Sequence, residues 1–125
     1  MQDTTLNVFV EHFRSAFKQY DAAKEKFLEL FATNPAYALE WQTGTMLLAQ
    51  ARYEIALEFE DVINNEDEAG FAEMLAEFEK RTLRRAGDLV RTESKSTSQM
   101  SNINEDAKAQ AALEIIELIA YSKLA

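Results

Sequence analysis

Residues 6–31 read "LNVFVEHFRSAFKQYDAAKEKFLELF". Leu6, Phe9, Phe13, Ala16, Tyr20, Ala23, Phe27 and Leu30 follow one another at spacings of three and four. A strand alternates with a period of two and cannot produce that series; a helix with one buried stripe can. Val10, Phe17 and Phe31 widen the stripe to the apolar face that a globular bundle needs. Asp3, Thr4 and Thr5 are suitable N-caps. The spacing predicts a helix over about 5–32, and a helix of that length measures roughly 40 Å.

The same period recurs along the chain. Pro35 disfavours a helical Asn34 and suits the first position of a second helix, predicted over about 35–63. Tyr37, Trp41, Gly44, Leu48, Ala51, Ile55, Phe59 and Val62 supply its stripe. Gly44 costs about 1 kcal/mol inside a helix relative to Ala, so close approach of a neighbouring helix is expected there. A third helix over about 67–92 is capped by Asp67 and carried by Phe71, Leu75, Phe78, Thr82, Ala86 and Leu89. "TESKSTSQMSN", residues 92–102, has no apolar period, and 92–103 is expected to be a Ser/Thr-rich flexible connection. Asn104 then caps a last helix over about 104–124. The expectation is one all-α domain over residues 1–125, a four-helix bundle of long antiparallel helices in which short breaks make the first three consecutive neighbours.

The last helix is apolar nearly all round. In "AALEIIELIAY", residues 111–121, only Glu114 and Glu117 are polar. Such a helix is either central to its own bundle or packed across an interface. In the second case Ile115, Ile116, Leu118, Ile119 and Tyr121 are the contact residues, and the chain is a homo-oligomer of the ring or particle type.

Composition removes most catalytic chemistry. There is no Cys and one His. Disulfides, thiolate nucleophiles and Cys-based zinc sites are therefore excluded. His12 has Phe9 and Ser15 three residues to either side, so the Glu-x-x-His pattern of carboxylate-bridged di-metal bundles is missing. His12 itself reads as a half-buried or surface histidine beside the apolar stripe. A calcium loop centred on Gly70 would need Glu at position 76, which is Ala. No catalytic residue, metal site or cofactor is expected. The N-terminus has no signal-peptide pattern and no apolar run is long enough to cross a membrane, so a cytoplasmic protein is expected.

Charge is the remaining feature. The net charge is −9. Residues 1–79 hold sixteen acidic and five basic side chains, and residues 80–95 hold six basic and two acidic. Direct nucleic-acid binding is not expected of such a molecule. Between 53 and 79 there are ten carboxylates and no Lys or Arg. Each arm of that hairpin spans about 20 Å, so the charge density is roughly one per 2 Å, comparable to the one per about 1.7 Å of duplex DNA. Glu66 and Asp67 suit a helix start, whereas Glu58, Glu60 and Asp61 oppose the dipole at the end of the second helix. Glu54, Glu58, Glu60, Asp61, Glu66, Asp67, Glu73 and Glu77 are the candidate contacts for a protein partner with a basic surface. An inhibitor of anti-defence or immunity type, occluding a nucleic-acid-binding protein, is the sharpest form of this expectation. An acidic surface that serves solubility alone is the alternative. Arg81, Arg84, Arg85 and Arg91 form a secondary basic patch, expected to pair with neighbouring acidic helices.

Overall fold

The computed structural model describes the backbone of residues 3–92 and 99–124, and the side chains of residues 7–85 and 103–121. Four helices account for it. α1 is Asp3–Thr33. α2 is one continuous right-handed helix in three segments: an α-turn Pro35–Tyr37, a π-helical stretch Ala38–Gln42, and an α-helix Thr43–Asn64. α3 is Glu68–Thr92, and α4 is Gln99–Leu124.

The first connection is a single residue. The Asn34 side-chain oxygen accepts from the Tyr37 amide at 3.2 Å, and Pro35 opens the next turn, so one helix stops and another starts without a loop. The second connection is a Schellman turn. The Asp67 amide donates to the Val62 carbonyl at 3.0 Å and the Glu66 amide to that of Ile63 at 3.2 Å. Glu66 takes the left-handed position at φ 53°, where Gly is usual. Asp67 then caps α3, its Oδ1 accepting from the Gly70 amide at 2.9 Å.

The core sits toward the end of the bundle that holds the first turns of α1 and the last turns of α4. Phe9, Phe13 and Ala16 from α1 meet Ala56 and Phe59 from α2, Phe71 and Phe78 from α3, and Ile115 and Ile119 from α4. Phe59 is its centre. Its ring stacks on Phe13 at 4.9 Å and contacts Phe71 at 5.6 Å and Phe78 at 6.0 Å. Along the α1–α2 pair the contacts step from Phe13–Phe59 to Tyr20–Tyr53, rising in one helix as they fall in the other, so the two are antiparallel. Arg85 of α3 reaches Glu105 at the start of α4, while Phe71 and Ile119 share the core, so α4 runs back along α3.

Three expectations are corrected. The apolar last helix is not the hub; α2 is, packing on α1, α3 and α4, because its stripe is wide enough to meet all three. α4 begins at Gln99 rather than Asn104, so 99–103 is helical; residues 93–98 of the expected connection lie outside the described residues. Among the described residues no neighbouring helix approaches Gly44: a Cβ there would meet nothing within 4 Å, since Gly44 is exposed on α2.

Candidate interaction surface

The acidic hairpin joins the last turns of α2 to the first turns of α3. Glu54, Glu58, Glu60, Asp61, Glu66, Asp67, Glu73 and Glu77 are all exposed, but they do not form one face. Glu54 and Glu58 line a groove of about 500 Å³ between α3 and α4, floored by Ala51 and Ile55 of α2. Glu58 is engaged there by Arg81 at 2.8 Å, which offsets its unfavourable place at the end of α2. Glu66 and Asp67 edge a cleft of about 430 Å³ at the turn, whose walls include Val10, Val62 and Phe71 and, opposite the carboxylates, Arg14. Asp67 is occupied as a helix cap. Glu60, Asp61, Glu73 and Glu77 stand on open surface, and no ion pair among the described residues engages them or Glu54.

Two of the four arginines of the basic cluster, Arg81 and Arg85, pair within the chain. Arg81 also lies over the Phe78 ring at 5.4 Å, and Arg85 pairs with Glu105 at 2.8 Å. Arg84 is exposed, and the side chain of Arg91 lies outside those described. The interface stripe expected on α4 is mostly core. Ile115 and Ile119 are 1% and 5% exposed, and Ile116 and Leu118 pack against the same cluster. They close this chain's own bundle because that face of α4 is turned to α2. Tyr121 and Leu113 are exposed on the remaining surface.

One polar constellation was not foreseen. Arg52 of α2 and Glu114 of α4 form a fork-to-fork pair, with Nε to Oε1 at 2.9 Å and Nη2 to Oε2 at 2.6 Å. Both side chains are about three-quarters buried, and the hydrogen bond holds the Arg52 pKa above its ordinary value. His12 of α1 faces this pair. Burial pushes its pKa below 6.5; Glu114 opposes that shift and Arg52 adds to it. The spacing between Arg52 and Glu114 in the chain left no local signal for the contact. Their polarity inside otherwise apolar stretches was the only hint.

No three His, Asp or Glu side chains converge as metal ligands among the described residues, and no described helix is long and apolar enough to cross a membrane. No family model, curated protein or solved structure matches the chain.

Proposed function

We propose that the chain is a non-enzymatic protein-interaction module whose acidic α2–α3 hairpin docks on a basic surface of another protein. The observation that carries this reading is the set Glu60, Asp61, Glu73 and Glu77: four exposed carboxylates on two adjacent helices with no ion pair to them among the described residues. These four carboxylates, held on two rigid helical arms of about 20 Å each, present roughly one charge per 5 Å of axis, sparser than a phosphate backbone, and Lys or Arg side chains that hold phosphates are their natural complement. Occlusion of a nucleic-acid-binding surface is the mechanism this suggests. Glu58 is a weaker contributor, because Arg81 already holds it.

The test is capture of the tagged protein's partner from its native cell at low salt, followed by titration of the purified pair. Binding should weaken steeply as salt rises, and the partner's nucleic acid should be displaced. The variant carrying Glu60→Gln, Asp61→Asn, Glu73→Gln and Glu77→Gln should lose at least about tenfold in affinity, with a shallower salt dependence. Affinity unchanged by those four substitutions, or by salt, rules the electrostatic reading out.

A further inference from the structure

The end of the molecule opposite the acidic turn has a different character. Glu40 is the one charged residue between Leu30 and Ala51 in a chain of net charge −9. Trp41, the sole tryptophan, is 64% exposed there. Trp41, Gly44, Thr45 and Leu48 are spaced three, four and seven apart and so share one face of α2. Tyr37, one turn earlier, extends it and is also exposed. Leu39, two residues from each, falls on the other side.

In the four-helix half of the bundle this stripe of α2 continues as Ala51, Ile55 and Phe59 and is covered; at Trp41, Gly44 and Thr45 it is open to solvent. Gly44 has no neighbour within 4 Å of a Cβ position, so none of the described residues uses the absent side chain. The π-helical stretch Ala38–Gln42 lies just before it, and the Thr43 hydroxyl donates to the Leu39 carbonyl at 2.6 Å, tying the wide turn that presents Trp41.

We propose that this face is a homotypic interface, in which α2 of one copy crosses α2 of a second copy antiparallel, with the two-fold axis between Gly44 and Thr45. Three features select a second copy as the occupant. The order large–small–small–large in Trp41, Gly44, Thr45 and Leu48 is self-complementary when reversed, as a two-fold contact requires. Trp41 then faces Leu48 of the second copy, and Gly44 faces its Thr45, where the missing side chain lets the helices close. Two copies of an acidic chain repel one another most where their carboxylates crowd, and this end is nearly balanced: Glu40 of α2 and Glu25 and Glu29 of α1 stand with Lys24 and Lys26, farther from the acidic turn than a Debye length of about 8 Å. The exposed parts of Trp41 and Tyr37 supply about 250 Å² per copy, from ring side chains of about 150–250 Å², and Thr45, Leu48 and their flanks bring the total to about 900 Å² for both copies. That is near the lower limit of about 1,000 Å² for a specific interface, as for a weak, reversible dimer.

The inference is independent of the proposed function, which uses the other end of α2. Sedimentation equilibrium and Trp41 emission, recorded on the same samples from about 1 to 500 μM, test it. The molar mass should rise toward twice the monomer value, the emission should shift to shorter wavelength in step, and added salt should leave both unchanged or favour the dimer. Gly44→Leu and Trp41→Ala should each weaken association by about tenfold or more, with the circular dichroism of the monomer retained, since both positions are open in the single chain. A chain that stays monomeric throughout overturns the proposal. So does a dimer whose tryptophan emission does not move, or one that survives both substitutions.

Discussion

Gly44→Ala is the substitution on which the description of α2 depends most directly. Gly44 lies inside a helix, with φ below zero, and a Cβ built on it meets nothing within 4 Å. Alanine therefore brings no collision, and the helix gains about 1 kcal/mol from the lost backbone freedom of the unfolded chain. For a chain of 125 residues that corresponds to a rise in Tm of about 3–5 °C. The measurement is thermal and urea unfolding followed by circular dichroism at about 0.1 μM, below the range in which association is tested, where a weak dimer contributes little. Gly70→Ala supplies the contrast. Its Cβ would run into the Asp67 carboxylate that caps α3, so the propensity gain is offset by loss of a cap of about 1 kcal/mol and no net stabilisation is expected. If Gly44→Ala instead destabilises the monomer, a neighbour must occupy that space and the outward placement of this face is wrong. If Gly70→Ala gains as much as Gly44→Ala, the capping role of Asp67 is wrong.

Phe59→Ala should cost about 3–5 kcal/mol in urea unfolding, because that ring touches aromatic rings of both α1 and α3 and its loss leaves a cavity no single helix can fill; a cost below about 1.5 kcal/mol would contradict its central place. A double-mutant cycle with Arg52→Met and Glu114→Gln should give a coupling of about 1–2 kcal/mol, whereas the same cycle on the exposed Arg81–Glu58 pair should give less than about 1 kcal/mol; equal values would mean the half-buried geometry adds nothing. His12 titrates lower folded than unfolded, so the unfolded chain binds the proton more readily. Its contribution to stability is complete above the unfolded value of 6.5 and is lost as pH falls through the lower folded value. Stability should therefore drop as pH falls below 6.5 in the natural chain and less in His12→Gln; parallel profiles below 6.5 would disprove the buried environment.

The helices were legible because periodicity is a local signal. Phe9, Phe13 and Ala16 announce their burial by spacing alone, and Asn34–Pro35 and Asp67 mark the breaks through backbone chemistry that needs no tertiary partner. The π-helical stretch was not legible, since one extra residue in a turn leaves the surrounding spacing helical on both sides. The start of α4 was misplaced because Ser and Thr disfavour helix only weakly, and Gln99 to Asn102 extend an already formed helix at little cost. Gly44 was misjudged for a related reason: a glycine in a stripe signals close approach, but the sequence does not say of which chain. The acidic candidates are all exposed. Their division among groove, cleft and open surface, and the capture of Glu58 by Arg81, depend on where α3 lies against α2, and that is a property of the assembled bundle.

The Arg52–Glu114 contact also ties together parts of the chain that are distant in sequence. It joins residues separated by 62 positions, as the Phe9–Phe71 ring contact does between α1 and α3. The fork-to-fork pair fixes the rotation of α4 against α2, because a turn of α4 about its axis that breaks the pair also withdraws Ile115 and Ile119 from the aromatic core. A half-buried charge pair thus sets the register of a helix whose apolar surface alone leaves it several ways to pack.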